Sequence, residues 1–346
     1  MLNKISLAHF RNHKSIEFSF SEQVVIVGQN AVGKTNLLEA IYTSITGFGF
    51  RGKDDELIQQ GEDWLRIDLE TESAKRTVKI QSDNKITKTL EVDGVKKTPR
   101  SFRENTAVVL FEPNLLRMLS GPPDLRRTWV DNLVSQIDPV YEDSLKRYKR
   151  VLFQRNNLLK KAASDDELFV WELKLGEYGQ KLVESRSLFF HELNSVIESL
   201  YSSISRQNDA ISVEYNPQNK AYASWLISEL QTRRARDKIL GFTSVGPHRD
   251  DFVIRHKESG STFSNIGSRG ELRSMALALK FYELKLLENR LGLKPVLLLD
   301  DVFSELDSTR RKSLIQTAQE YQSFFTATDL PDFLNHKTTQ VIELAP

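Results

Sequence analysis

The 346-residue chain has no cysteine, which excludes disulfides and thiolate-held zinc. Its six histidines are scattered, and no metal site is expected from them. No run of about 20 apolar residues is present, and a membrane-crossing helix is not expected. The start, MLNKISLAHFRNHKS, lacks the apolar stretch of a signal peptide, and cytoplasm is the expected location. Net charge is also nearly absent: 48 lysines and arginines against 47 aspartates and glutamates leave +1. Affinity for nucleic acid would have to come from local patches. There is no internal repeat or low-complexity segment. The length and the 39% hydrophobic content suit two compact units with buried cores.

Glycine is used sparingly, and two glycines frame the stretch that organises the chain, Gly28-Gln29-Asn30-Ala31-Val32-Gly33-Lys34-Thr35. It follows the apolar run Val24–Val27 and precedes Asn36-Leu37-Leu38-Glu39-Ala40-Ile41-Tyr42, which is apolar at helical spacing. A buried strand therefore turns into a helix at a G-x-x-x-x-G-K-T loop, a Walker A arrangement. Backbone N–H groups must wrap inward around phosphate oxygens there, and side chains at Gly28 or Gly33 would obstruct them. Lys34 would reach the β/γ-phosphates and Thr35 would hold Mg²⁺, with the helix N-terminus adding partial positive charge.

Short strands are expected at Leu2–Phe10 and Ser15–Phe20, then at Leu65–Leu69, Arg76–Gln81 and Thr87–Val92, with a hairpin turn at Asp93-Gly94. Ala107–Phe111 reads as another buried strand, stopped at Glu112-Pro113. From Pro122 to about Lys238 long helical patterns take over, chiefly Pro139–Ala163, Glu167–Ser205 and Tyr222–Ile239, with an antiparallel pair broken at Ser164-Asp165-Asp166. Strand texture returns at Asp251–His256, Ser261–Phe263, Pro295–Leu299, Ser323–Ala327 and Thr339–Leu344.

Pro295–Asp307, PVLLLDDVFSELD, completes the phosphate chemistry. An apolar strand ending in Asp300 places a carboxylate at the strand tip, on the metal side, and Asp301 stands where a hydrolytic base would. Most of the chain separates Lys34 from Asp300, unlike a compact kinase or small GTPase, so an insertion divides the ATPase unit. Upstream, Gly267-Ser268-Arg269-Gly270-Glu271 opens a helix. Its serine and helix N-terminus would complete an anion pocket built elsewhere, in the manner of an ABC signature. Equally, Ser268 with Glu271 reads as a capping box.

Ser144–Lys161, SLKRYKRVLFQRNNLLKK, holds seven basic residues and no acidic one. At about 100° per residue, Lys146, Lys149, Arg150, Lys160 and Lys161 share one arc, and Leu145, Tyr148, Val151, Leu152, Leu158 and Leu159 share the other side. The basic arc is a solvated face or a contact for a phosphate backbone or partner.

With these tracts, and with GPPDLRRTWVDNLVSQIDPVY and GFTSVGPHRDDF beside them, the chain resembles the RecF family, bacterial DNA-repair ATPases related to SMC proteins and ABC ATPase heads. The resemblance spans essentially the whole length. It implies an α/β fold: an ABC/SMC-like P-loop ATPase head, 1–118 and 241–346, with a mostly α-helical arm, 119–240, inserted between its halves. It also implies ATP and Mg²⁺ as cofactors and slow, DNA-stimulated hydrolysis. The implied partners are a second copy in an ATP-dependent homodimer, DNA at single-strand gaps or junctions, and RecR, with RecO and RecA in the pathway. The nucleotide-binding set is Arg11, Gly28 to Asn36, and Glu112. Lys34, Asp300, Asp301 and Ser268 form the catalytic group, and Thr35 and Asp300 are the metal ligands. Two departures stand out: Glu271 replaces the signature glutamine, and Glu112 and Thr328 occupy places where transporter ATPases carry glutamine and histidine. Two alternatives remain at this level, a transporter ATPase subunit and a DNA-binding scaffold using ATP only as a ligand. The long insertion, early sheet and basic arm oppose the first; Asp301 opposes the second.

Overall fold

A computed structural model of the chain describes every residue except 84, 113–114, 208, 216–220, 264–266, 331–338 and 346. Pro113, expected to end a strand, lies outside the described residues. The chain divides into two compact units, Met1–Pro113 with Leu284–Pro346, and Asn114–Glu283. Among the described residues no helix is long and apolar enough to cross a membrane.

The first unit is built on a five-stranded sheet in the order β13-β3-β12-β11-β8. Its strands are β3 (Gln23–Val27), β8 (Val108–Phe111), β11 (Val296–Leu299), β12 (Ser323–Ala327) and β13 (Gln340–Glu343). Every pairing is parallel, which explains why VVIV, VVLF and VLLL are continuous apolar runs: both faces are covered. A second, antiparallel sheet has the order β2-β1-β4-β5-β6-β7. It comprises β1 (Leu2–Phe10), β2 (His13–Ser19), β4 (Trp64–Thr71), β5 (Lys75–Ser82), β6 (Ile86–Val92) and β7 (Val95–Lys96). Alternate residues of this sheet, among them Ile5, Leu7, Ile67, Leu69, Val78 and Ile80, share one core with Leu37, Leu38, Ile41 and Ile45 of the helix Lys34–Thr46. The C-terminal carbonyls of that helix are met by buried Arg76, which donates to Ser44 and Ile45 oxygens at 3.1 and 3.0 Å and also to Phe102 O. Burial pushes the Arg76 guanidinium down to about 10.

The second unit is mostly helical: Pro123–Ile137, Pro139–Lys160, Asp165–Ser205, Tyr222–Thr232 and Arg234–Leu240. Asp138 meets Ser185 and Arg155 meets Glu172, so the helices Pro139–Lys160 and Asp165–Ser205 run antiparallel, as the break between them predicts. Ser164 caps the second of them in a full capping box with Glu167. The stretch expected as one helix over Tyr222–Ile239 is two, separated at Arg233. Ser261–Phe263, expected as a strand, supplies only the isolated bridge Arg255↔Thr262. An unanticipated strand, β9 (Ile211–Glu214), pairs antiparallel with β10 (Val253–His256).

Residues 241–283 group with these helices rather than with the parallel sheet, and buried charge explains it. Arg155, fully buried, donates to Asp237 at 2.9 Å, Thr243 Oγ1 at 2.8 Å and Glu172 at 3.1 Å. Arg186 donates to Pro247 O and Asp131, each at 2.7 Å, and to Tyr141 Oη at 2.9 Å. Arg126 grips Asp251 with both nitrogens, at 2.8 and 2.7 Å. His248 Nε2 donates to Thr243 O at 3.1 Å, so its Nδ1 accepts from the Tyr148 hydroxyl at 2.7 Å. The whole Gly241–Phe252 tract is thereby tied to the helices.

Candidate nucleotide site

The Walker A loop leaves β3 at the C-terminal edge of the parallel sheet. Gly28 has φ +155°, and a Cβ there would lie 2.6 Å from the Leu344 carbonyl oxygen. Gly33 has φ +110°, and a Cβ would lie within 2.6–2.8 Å of the Asn12 amide and His13 ring. Both positions exclude a side chain, as the loop conformation requires. The β1–β2 turn braces the loop from outside: Asn12 Nδ2 donates to Val32 O at 3.0 Å and His13 Nε2 to Gly33 O at 3.2 Å. Burial holds the His13 imidazole below its ordinary pKa. Asn36 Nδ2 donates to Asn12 Oδ1 at 2.8 Å, joining the helix start to the same brace.

Thr35 Oγ1 donates to Asp300 Oδ1 at 2.9 Å, and Thr326 Oγ1 donates to the same oxygen at 2.9 Å. Thr326 also accepts the Asp301 N–H at 2.8 Å. Strand order is the cause. β12, which carries Thr326, lies between β3 and β11, so its tip bridges the Walker A and Walker B ends. Lys34 Nζ lies against the loop, donating to the Gly28 and Gln29 carbonyls at 2.5 and 2.8 Å. Asp301 holds φ +47°, a left-handed conformation uncommon outside glycine, and its carbonyl accepts from Ser304 Oγ at 2.8 Å. Such backbone strain is characteristic of functional positions.

A cleft of about 210 Å³ opens here, lined by Asn30, Ala31, Gly33, Lys34, Thr35, Asn36, Arg51, Asp300, Asp301, Thr326 and Thr328. Paired Thr35 hydroxyl and Asp300 carboxylate are hard oxygen donors of the kind that fits Mg²⁺ when phosphate supplies the rest. Among the described residues no cluster of three acidic or histidine side chains competes as a metal site. Glu112 follows Phe111, whose carbonyl accepts the Asp300 N–H at 2.9 Å, so it stands at the neighbouring strand tip. It is not part of the cleft lining.

Arg11 is placed differently from the loop residues. Its Nε donates to Glu39 Oε2 at 2.9 Å and its terminal nitrogen to Arg51 O at 2.9 Å. Glu39 is fully buried on the Walker A helix, and its other oxygen accepts the Arg51 N–H at 2.9 Å. Arg51 in turn donates to Asn36 Oδ1 at 2.9 Å and reaches the cleft. Sequence reasoning passed over Arg51, Glu39, Asn12 and Thr326. The one local signal was an acidic residue on the apolar side of a helix, Glu39, next to a glycine-punctuated loop containing Arg51.

In the second unit, Ser268 and Glu271 form the capping box. Ser268 N–H donates to Glu271 Oε2 at 2.6 Å and Glu271 N–H donates to Ser268 Oγ at 3.2 Å, and these bonds hold the Glu271 carboxyl below its usual range. Ser268 itself is exposed. On the arm, Lys146, Lys149, Arg150, Lys160 and Lys161 are all exposed, while Leu145, Tyr148, Val151 and Leu159 are buried and Leu152 and Leu158 half-buried. Glu142 pairs with Lys146 at 2.8 Å, and Asp131 lies 3.7 Å from Lys149.

Comparison with known proteins accords with this geometry. The AAA domain family model matches residues 4–169. A relative from Natranaerobius thermophilus, the DNA replication and repair protein RecF, is 34% identical over 96% of this chain and 92% of its own length. The solved structure of the recombination mediator protein RecF-ATP in the RecFOR pathway superposes with a TM-score of 0.87 at 32% identity, covering 96% of this chain and 93% of that one. The SMC head bound to the C-terminal winged-helix domain of ScpA shares the fold, with a TM-score of 0.55 at 15% identity over 99% and 93% of the two chains.

Proposed function

The chain belongs to the RecF family, and from that premise we propose that it is a recombination mediator of DNA replication and repair whose grip on DNA is switched by ATP. The observation that carries the reading is the Thr35–Asp300–Thr326 junction, which joins Walker A and Walker B ends at one carboxylate oxygen. The loop N–H groups and Lys34 hold the β/γ-phosphates. Thr35 and Asp300 would hold Mg²⁺, which when bound neutralises phosphate charge. Asp301, exposed beside the cleft, accepts a proton from water as that water bonds to the γ-phosphorus and the bond to the β-phosphate oxygen breaks.

Two subunits enclose two ATP molecules, each capped by Ser268 of the other subunit. Binding energy realised only in the closed pair makes association ATP-dependent. Closure brings the basic arms to DNA at a single-strand gap or junction, where RecR and RecO act with the protein to promote RecA loading. Hydrolysis then reopens the dimer. By family resemblance the ATPase head takes 1–118 and 241–346 and the arm 119–240, although residues 241–283 pack in one compact unit with the arm helices.

Sedimentation and gapped-DNA binding, each measured with ATP, with ADP and without nucleotide, test the reading. Dimerisation and DNA retention are expected with ATP alone. DNA binding indifferent to nucleotide would favour a scaffold that uses ATP only as a ligand.

A further inference from the structure

Phe153 is 62% exposed in the middle of the helix Pro139–Lys160. At ~100° per residue, Lys146, Lys149, Arg150, Asn156, Asn157 and Lys160 all project within about 60° of it. The four cations in that set are exposed. Lys149, Arg150, Asn156 and Asn157 lie one helical turn from the ring. Tyr141, Tyr148, Arg155 and Leu159 point the other way and are buried, so the ring faces solvent by helical phase. An exposed phenyl ring surrounded by cations calls for a partner that is flat and apolar toward the ring and anionic toward its rim.

We propose that this face is a stacking platform for a single DNA strand, with an unpaired base on Phe153 and the flanking phosphates on Lys149, Arg150 and Lys160. The inference rests on the DNA-binding reading above and adds which form of DNA the arm selects. Duplex DNA satisfies the cations but keeps its base faces stacked inside, leaving the ring uncovered. Single strands offer a π-face at every base and are bound by such basic, aromatic surfaces with little sequence preference. A second copy of the chain fits poorly, because a two-fold pairing sets the same patch against itself and brings like charges together. On this helix the other large exposed apolar side chain, Val140, projects about 140° away from Phe153, so the helix offers no continuous apolar stripe.

The test uses the full chain with ATP and fluorescence anisotropy on a labelled oligo-dT strand and a blunt duplex of equal length. Phe153→Ala should weaken single-strand binding about tenfold while leaving duplex affinity within about twofold, and Phe153→Trp should bind the strand at least as well as wild type. The double variant Lys149→Glu/Arg150→Glu should weaken both. Unchanged melting curves establish that the surface variants are folded. Equal losses on both DNAs, or none, for Phe153→Ala would overturn the stacking assignment. If the charge reversal weakens both DNAs and Phe153→Ala neither, the stacking inference falls alone. If the charge reversal leaves both intact, the arm is not the contact and stacking falls with it. If wild type binds neither DNA, the proposed function itself fails. Self-association without nucleotide that disappears in Phe153→Ala would identify a second copy as the occupant and overturn the proposal.

Discussion

Thr35 Oγ1 and Asp300 Oδ1 lie 2.9 Å apart although 265 positions separate them in sequence. The contact depends on β12 lying between β3 and β11, where Thr326 fastens Asp300 and the Asp301 backbone together. Asp300 is thereby held against Thr35, and Asp301 lines the cleft beside it; to these two positions we assign the metal ligand and the hydrolytic base.

This division of labour predicts the behaviour of Asp301→Asn. Asparagine tolerates the left-handed backbone at this position and keeps the side-chain size, but it cannot take up a proton as a carboxylate does. Steady-state turnover should fall at least about 100-fold, with ATP affinity and ATP-driven dimerisation retained. Turnover within a few-fold of wild type would move the base to another residue.

Arg155 predicts a stability effect. It sits among Glu172, Asp237 and Thr243 with no exposure. Arg155→Met would leave buried Asp237 without its cation and Glu172 with Arg234 alone, at a cost of about 3–5 kcal/mol. Arg155→Lys should recover little, because one ammonium cannot reproduce the guanidinium fork. Chemical denaturation of the two variants checks this, and a loss below about 1 kcal/mol would mean that water already carries the charges.

His248 predicts a pH dependence. Burial lowers its pKa to about 4 from the ordinary 6.5, so between those values the unfolded chain binds more protons than the folded one. The stability it contributes is fully present above about pH 6.5 and is lost as pH falls toward 4, by at most about 3 kcal/mol. Asp250, raised by burial, acts in the opposite sense, its contribution declining as pH rises through its folded pKa. Denaturation midpoints of wild type and His248→Gln across this range should converge as the pH falls. Parallel curves would show that the folded imidazole takes up its proton at the same pH as the unfolded one.

Much of this was legible in the chain because it is local. A strand, a glycine-framed loop and a helix follow one another within residues 23–46, and Asp300 ends an apolar strand that no polar residue interrupts. The capping box at Ser268 and the two-faced helix Pro139–Lys160 are likewise written in short-range spacing. Thr326 and the Glu39–Arg51 clamp were not legible, because they depend on strand order and on a loop folding back across the helix. Arg155 counts in the sequence as part of a basic run, and only the fold reveals it as a buried tether. The grouping of residues 241–283 with the helices follows from such tethers, which no periodicity encodes.

The central claim is that each ATP is enclosed by two subunits, and the most direct measurement is association of a mixture of Ser268→Arg and Lys34→Ala in ATP. Ser268→Arg keeps every Walker residue and should bind ATP as a monomer. Lys34→Ala should lose ATP, lacking the charge opposite the β/γ-phosphates, yet still offer an intact Ser268. The account predicts that neither variant dimerises alone and that the mixture recovers part of the association, because one complete two-subunit site survives. Wild-type dimerisation by Ser268→Arg alone would leave Ser268 as a helix cap only. Loss of ATP binding by that variant, with no recovery in the mixture, would contradict the shared site altogether.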